Sequence, residues 1–265
     1  MTTTEHWLST IRDTYTDLDG WQARAKKMPP EQPERGSLLA ADDALFRWHP
    51  ISEASRISLV VAGEHLRLAR TAIEARQVYP SAHFTALRGA LVGAAQGVWV
   101  LGPSDPHERQ ERGLTLISEM YGQLRKYYSE LATGPLSADD RRALDAQVIW
   151  CDERRQHVAA VRRTGAHLNQ TEMIAWALEH RFADDQRRAA GRLLWRQMGA
   201  DAHVLGWGMF QRGAVLKPDR KSGLGVGESA GSLEHLADAF VAIHLLLREG
   251  WSRFDQLCEA PRNAT

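Results

Sequence analysis

A chain of 265 residues suits one large domain or two small ones and is ample for a buried core. Its 43% hydrophobic and 25% charged content is that of a globular protein and excludes a disordered chain. Thirty-three basic residues balance thirty-three acidic ones, and a formal charge of zero argues against broad, charge-driven binding to nucleic acid or membrane.

Two cysteines, Cys151 and Cys258, are too few for a disulfide framework, and cannot form a zinc site without help from other ligands. The opening residues, MTTTEHWLSTIRD, lack the charged-then-apolar pattern of a secretion signal. The longest apolar run, residues 86–102, holds Arg88 and Gln96 and is short for a membrane span. The expectation is a cytoplasmic protein with no membrane segment, no metal and no cofactor.

In chain order, residues 4–18 place Trp7, Leu8, Ile11 and Tyr15 at helical spacing. The Pro-rich run KKMPPEQPERGS at 26–37 reads as a linker, so residues 1–37 form a helical N-terminal arm and residues 38–265 a single all-α domain. A helix over 52–78 has Ile57, Val60, Val61, Leu68, Ala72 and Ala75 as its apolar face, and Tyr79-Pro80 ends it. The helix over 82–101 carries a seam of Phe84, Leu87, Leu91, Ala94, Val98 and Leu101 and is apolar on its other faces, which predicts the central buried helix. Gly89, Gly93 and Gly97, four apart, form a small-residue ridge for close approach of a neighbouring helix. Asp105 caps and Pro106 opens a helix over 106–131, with a seam from Leu114 to Leu131. Ser137 and Asp140 make a capping-box-like start for the next, whose apolar side is Leu144, Val148, Cys151, Val158 and Val161. Its Arg pairs at 141–142, 154–155 and 162–163 are interleaved with carboxylates, the pattern of a solvated, salt-laced face. Helices over 171–181 and from Asp184 or Asp185 into 191–210 follow, then a Gly-rich basic loop over 212–232. A last helix over 230–258 has Leu236, Phe240, Ile243, Leu247, Trp251 and Phe254 on one side. No alternating strand pattern appears, and the architecture is an all-α, up-and-down helical bundle.

Three Arg–His pairs stand four to six residues apart: Arg76–His83, Arg162–His167 and Arg196–His203. Seven positions on a helix make close to two turns, so Arg196 and His203 share a face on an unbroken helix, and Trp207 extends it by another turn. Arg supplies a permanent charge with a planar fork suited to phosphate. His exchanges a proton near neutral pH. Together they fit metal-independent RNA cleavage, with Trp207 stacking a base and Arg88 as a further binding cation. A plain structural role fits the same residues: Arg196 paired with Asp201, His203 at a helix end, the tryptophans in the core. Arg162–His167 ranks second, because Gly165 ends its helix before His167. GLGVG at 223–227 meets neither common nucleotide fingerprint. Cys151, Glu153 and His157 share a helix but find no second ligand pair for a metal.

The run WRQMGADAHVLGW at 195–207, and the run ALRGALVGAAQGVWVLGPSD at 86–105 with the ERQERGL after it, resemble a group of actinobacterial helical proteins of unknown function. That group is in turn similar to HEPN-type domains. The resemblance implies a HEPN-like bundle, a homodimer, and an RNA endonuclease of defence or toxin type with Arg196 and His203 as its catalytic pair. Gly199 stands where the group has Ser, and Gln197 where HEPN nucleases favour Asn, Asp or His. The alternative is a non-catalytic helical interaction or regulatory module. A third class is a small-molecule sensor with a Trp-lined pocket. No DNA-binding motif is present.

Overall fold

The protein is described by a computed structural model covering residues 3–222, 225–228 and 231–261. Among these are eleven helices: α1 (Thr3–Arg12), α2 (Tyr15–Ala25), α3 (Leu38–Asp43), α4 (Ile51–Glu74), α5 (Ala82–Leu101), α6 (Pro106–Leu131), α7 (Ala138–Val161), α8 (Gln170–Arg181), α9 (Asp185–Ala202), α10 (Trp207–Arg212) and α11 (Leu233–Cys258). The fold is all-helical, a bundle with one exception. The segment 212–232, expected as a loop, contains an antiparallel hairpin of β1 (Ala214–Pro218) and β2 (Gly225–Glu228), with a bulge between Val215 and Lys217. Five glycines and a proline hide any alternation in this segment, and backbone pairing alone defines it. Gly223 and Leu224 of the GLGVG run lie outside the described residues.

The chain divides into two compact units. The first holds residues 1–31, 57–99 and 171–253, and the second residues 32–56, 100–170 and 254–265. In the first unit the N-terminal residues are not an arm. Ile11 of α1 and Leu18 of α2 are fully buried. Arg12 makes a two-pronged pair with Glu74 at 2.9 and 2.8 Å, and Arg70 bonds Asp19 at 2.5 Å. His244 of α11 meets the Asp17 carboxylate at 2.9 Å, and the Arg24 guanidinium lies 4.3 Å from the Trp251 ring centre.

Helix α5 has the predicted bounds, and all six seam residues from Phe84 to Leu101 are buried. It is long and apolar enough to cross a membrane, but most of its surface is buried inside the protein, which accounts for its composition. Its glycine ridge takes α4 in close approach. A Cβ at Gly93 would stand 2.6 Å from the Ser58 carbonyl oxygen, and one at Gly89 2.5 Å from His65 Nε2; one at Gly97 would collide with the Leu59 side chain. This approach corrects the expected face of α4. Its buried stripe is Leu59, Ala62, Leu66, Ala69 and Ile73, while Ile57, Val61 and Leu68 are exposed. Helix α4 carries apolar residues on two stripes, and the one flanked by small side chains meets the glycines.

In the second unit, caps fall where the sequence puts them. Asp105 accepts from the His107 amide at 3.1 Å, and Ser137 Oγ accepts from the Asp140 amide at 3.1 Å. The α6 seam is buried at Leu114, Ile117 and Tyr121 and open at Leu131. A buried ion pair ties α6 to α3. Arg109 Nε donates to Asp42 Oδ2 at 2.5 Å and Nη1 to the Pro103 carbonyl at 3.3 Å, with Gln110 Nε2 adding a 2.9 Å bond to Asp42. Both charged side chains are almost wholly buried, so removing one partner would strand the other at a cost of about 3–5 kcal/mol.

Candidate functional site on helix α9

Helix α9 starts where Asp184 accepts from the Arg187 amide at 2.7 Å. It runs unbroken through Gly199 to Ala202, and His203 is its C-cap. Arg196 and His203 therefore lie seven positions apart on one helix, on one face, with their Cα atoms ~10 Å apart along the axis. Both are exposed. Asp201 is not available to Arg196. It is buried, and its Oδ1 accepts from Arg212 Nη2 at 2.6 Å. Among the described residues no hydrogen bond or ion pair engages the side chain of Arg196 or His203.

The other two Arg–His pairs differ. Arg76 follows the end of α4 at φ 57°, and buried His83 on α5 accepts from the Tyr79 amide through Nδ1 at 3.1 Å. Burial holds the His83 pKa below the usual histidine value, against the smaller upward pull of that hydrogen bond. Arg162 lies just beyond α7, donating to Glu111 Oε1 at 3.0 Å, Thr115 Oγ1 at 2.9 Å and the Ala166 carbonyl at 2.6 Å. Helix α7 ends at Val161, before Gly165 is reached.

The face does not continue to Trp207. The Leu205 amide bonds back to the Ala200 carbonyl at 2.9 Å and the Val204 amide to Asp201 at 3.1 Å. These two bonds with Val204 at φ 56° make a Schellman stop, in which a β-branched residue occupies the position that favours glycine. Gly206 at φ 69° then turns the chain, and exposed Trp207 opens α10. Buried Arg212 at the end of α10 also reaches the Pro80 carbonyl at 3.0 Å and lies 4.0 Å from the Phe84 ring centre, so the elbow is clamped to α9 and α5. Neither this clamp nor the turn shows in residue spacing, although Gly206 is a break signal.

Arg88 comes to α9 from α5. Its guanidinium carbon lies 4.4 Å from the Trp195 ring centre, and its buried Nε has no hydrogen-bond partner. A Cβ at Gly199 would stand 4.0 Å from that Nε. Arg88 and the α9 helix are thus together, joined through the Trp195 ring. Large apolar side chains are exposed on α9, in the turn after it and on α10: Leu193, Val204, Leu205 and Phe210 are 62–89% exposed.

Cys151 is buried, which raises its thiol pKa, and His157 stacks on Trp48 at 4.7 Å. Among the described residues no cluster of three metal-ligating side chains exists. No family model, curated protein or solved structure matches the chain.

Proposed function

We propose that the chain is a HEPN-like helical protein that cleaves RNA without a metal, with Arg196 and His203 as its catalytic pair. The observation that carries this reading is that, of three Arg–His pairs, only this one shares a helix with both side chains exposed and unengaged. In the proposed reaction a histidine takes the proton of a 2′-hydroxyl. The 2′-oxygen bonds to phosphorus, the bond to the 5′-oxygen breaks, and that oxygen leaves protonated. The products are a 2′,3′-cyclic phosphate and a 5′-hydroxyl. Arg196 neutralises the charge that builds on the phosphoryl oxygens. Arg88 adds positive charge beside α9, and Trp207 offers an exposed ring to a base.

One histidine cannot be base and acid at once, so the reading includes a homodimer in which a second copy brings a second pair. The exposed Leu193, Leu205 and Phe210, on α9, in the turn after it and on α10, favour such a contact. The setting proposed is the cytoplasm.

The test incubates purified protein with several RNAs, with and without EDTA. Cleavage that survives EDTA and falls by about 10²-fold or more in His203→Ala and Arg196→Ala supports the proposal. Phe210→Ser should lower both the mass measured by light scattering and the cleavage rate. Absence of cleavage by the wild type across these RNAs removes the nuclease reading and leaves a non-catalytic interaction module, with the same apolar residues as its contact surface.

A further inference from the structure

A second cluster of cations lies in the other unit and takes no part in the proposed reaction. Helices α6 and α7 and the segment after α7 enclose a cleft of about 260 Å³. Ser118, Arg125, Lys126, Arg155, Arg162 and His167 line it, against one carboxylate, Glu119. Two further carboxylates hold these cations in place. Asp152 accepts from Arg125 Nε at 2.7 and 2.9 Å and lies 3.6 Å from Arg155, while Glu111 holds Arg162. Counting both, the cleft retains one cation in excess. This imbalance sits in a chain with no net charge.

The cations divide by role. The Arg162 side chain is 9% exposed and committed to three partners, so its charge is fixed in the wall. Among the described residues Lys126, His167 and the Ser118 hydroxyl have no partner, and Arg155 holds only its long pair with Asp152. Gly122 forms part of the wall; a Cβ there would stand 3.8 Å from Arg155 Nε. Missing side-chain bulk at this position leaves α6 backbone open to the cleft beside the guanidinium.

We infer that this cleft binds a phosphomonoester carried on a small organic group, such as a sugar phosphate or a nucleoside monophosphate. A dianion matches an ammonium, a forked guanidinium and an imidazole better than a monoanionic carboxylate does. The volume exceeds that of a bare phosphate and is below the usual size of sites that enclose larger ligands. A nucleic-acid strand spreads single diester charges along a line, whereas these cations line one small cleft.

Isothermal titration of the whole chain with inorganic phosphate, ribose 5-phosphate, AMP, adenosine and a 5′-hydroxyl oligoribonucleotide tests this. Saturable binding of AMP or ribose 5-phosphate at one per chain, with none for adenosine, is the expected result. Lys126→Gln should weaken it about tenfold and Lys126→Arg should restore most of it. Gly122→Leu replaces a mid-helix glycine with a good helix former, so it should keep the fold by circular dichroism while abolishing binding. Arg196→Ala and His203→Ala should leave the affinity unchanged, which separates this site from the proposed nuclease pair. No saturable binding by either organic phosphate overturns the inference, as does equal binding by the Gly122→Leu protein. Tighter binding of the oligoribonucleotide, lost in Lys126→Gln, also overturns it in favour of a strand contact.

Discussion

At the scale of single residues, the candidate site is bounded by one strained backbone position. Val204 adopts φ 56° and is 89% exposed, so nothing packs against it to offset the strain. A left-handed conformation costs a non-glycine residue roughly 1–2 kcal/mol, and β-branching worsens the fit. Val204→Gly should therefore stabilise the protein by about 1 kcal/mol in urea unfolding, since the Schellman bonds at Leu205 and Val204 favour glycine there. A neutral or destabilising result would mean that the turn is held differently. The same residue explains a limit of legibility. Spacing placed Arg196 and His203 on one face correctly, because that needs only a regular helix. It extended the face to Trp207 wrongly, because a valine gives no sign of ending a helix.

Among the elements, two glycines in helices should respond to the same substitution with opposite signs. Gly93 of α5 faces the Ser58 carbonyl of α4 at the distance where a Cβ would sit 2.6 Å away, and backbone cannot swing aside. Gly93→Ala should cost ~1–3 kcal/mol. Gly20 in α2 has nothing within 4 Å of its would-be Cβ, and Gly20→Ala should gain ~0.5–1 kcal/mol from helix propensity. Equal effects in thermal melts would refute the close-approach account. Helices α5, α6 and α11, whose long apolar seams stand out in the sequence, were readable to within a few residues. Helix α4 was found, but its inward face was not, since the choice between two apolar stripes is made by its neighbour. The hairpin in 214–228 depends on backbone pairing between segments whose side chains carry little signal. The cleft of Lys126 and Arg155 was invisible because its residues come from two helices and a loop, and the arginines of α7 read locally as a solvated face.

For the whole molecule, burial of ionisable groups sets the pH range of stability. His49, His83 and His244 all have pKa values held below the ordinary 6.5, chiefly by burial; for His244 the Asp17 carboxylate offsets part of this. The unfolded chain takes up protons first as pH falls, so their contribution is complete above about pH 6.5 and declines below it. Glu74, held down to about 2 by its hydrogen bonds with Arg12, adds a further loss between its ordinary 4.5 and about 2. Burial raises Cys151, Tyr15 and Tyr121, so the unfolded chain releases protons first above their ordinary values of 9.0 and 10.0. Chemical unfolding from pH 4.5 to 10.5 should give a maximum near pH 7–9, and His83→Asn should flatten the acid limb. Equal stability at pH 7.5 and 5.5 would contradict this. The keyed contact between α4 and the α5 glycines has an evolutionary corollary. Once that contact chooses the inner stripe, Ile57, Val61 and Leu68 are released from folding duty. Drift at those three positions can alter how the protein's exterior meets its surroundings while the interior stays the same.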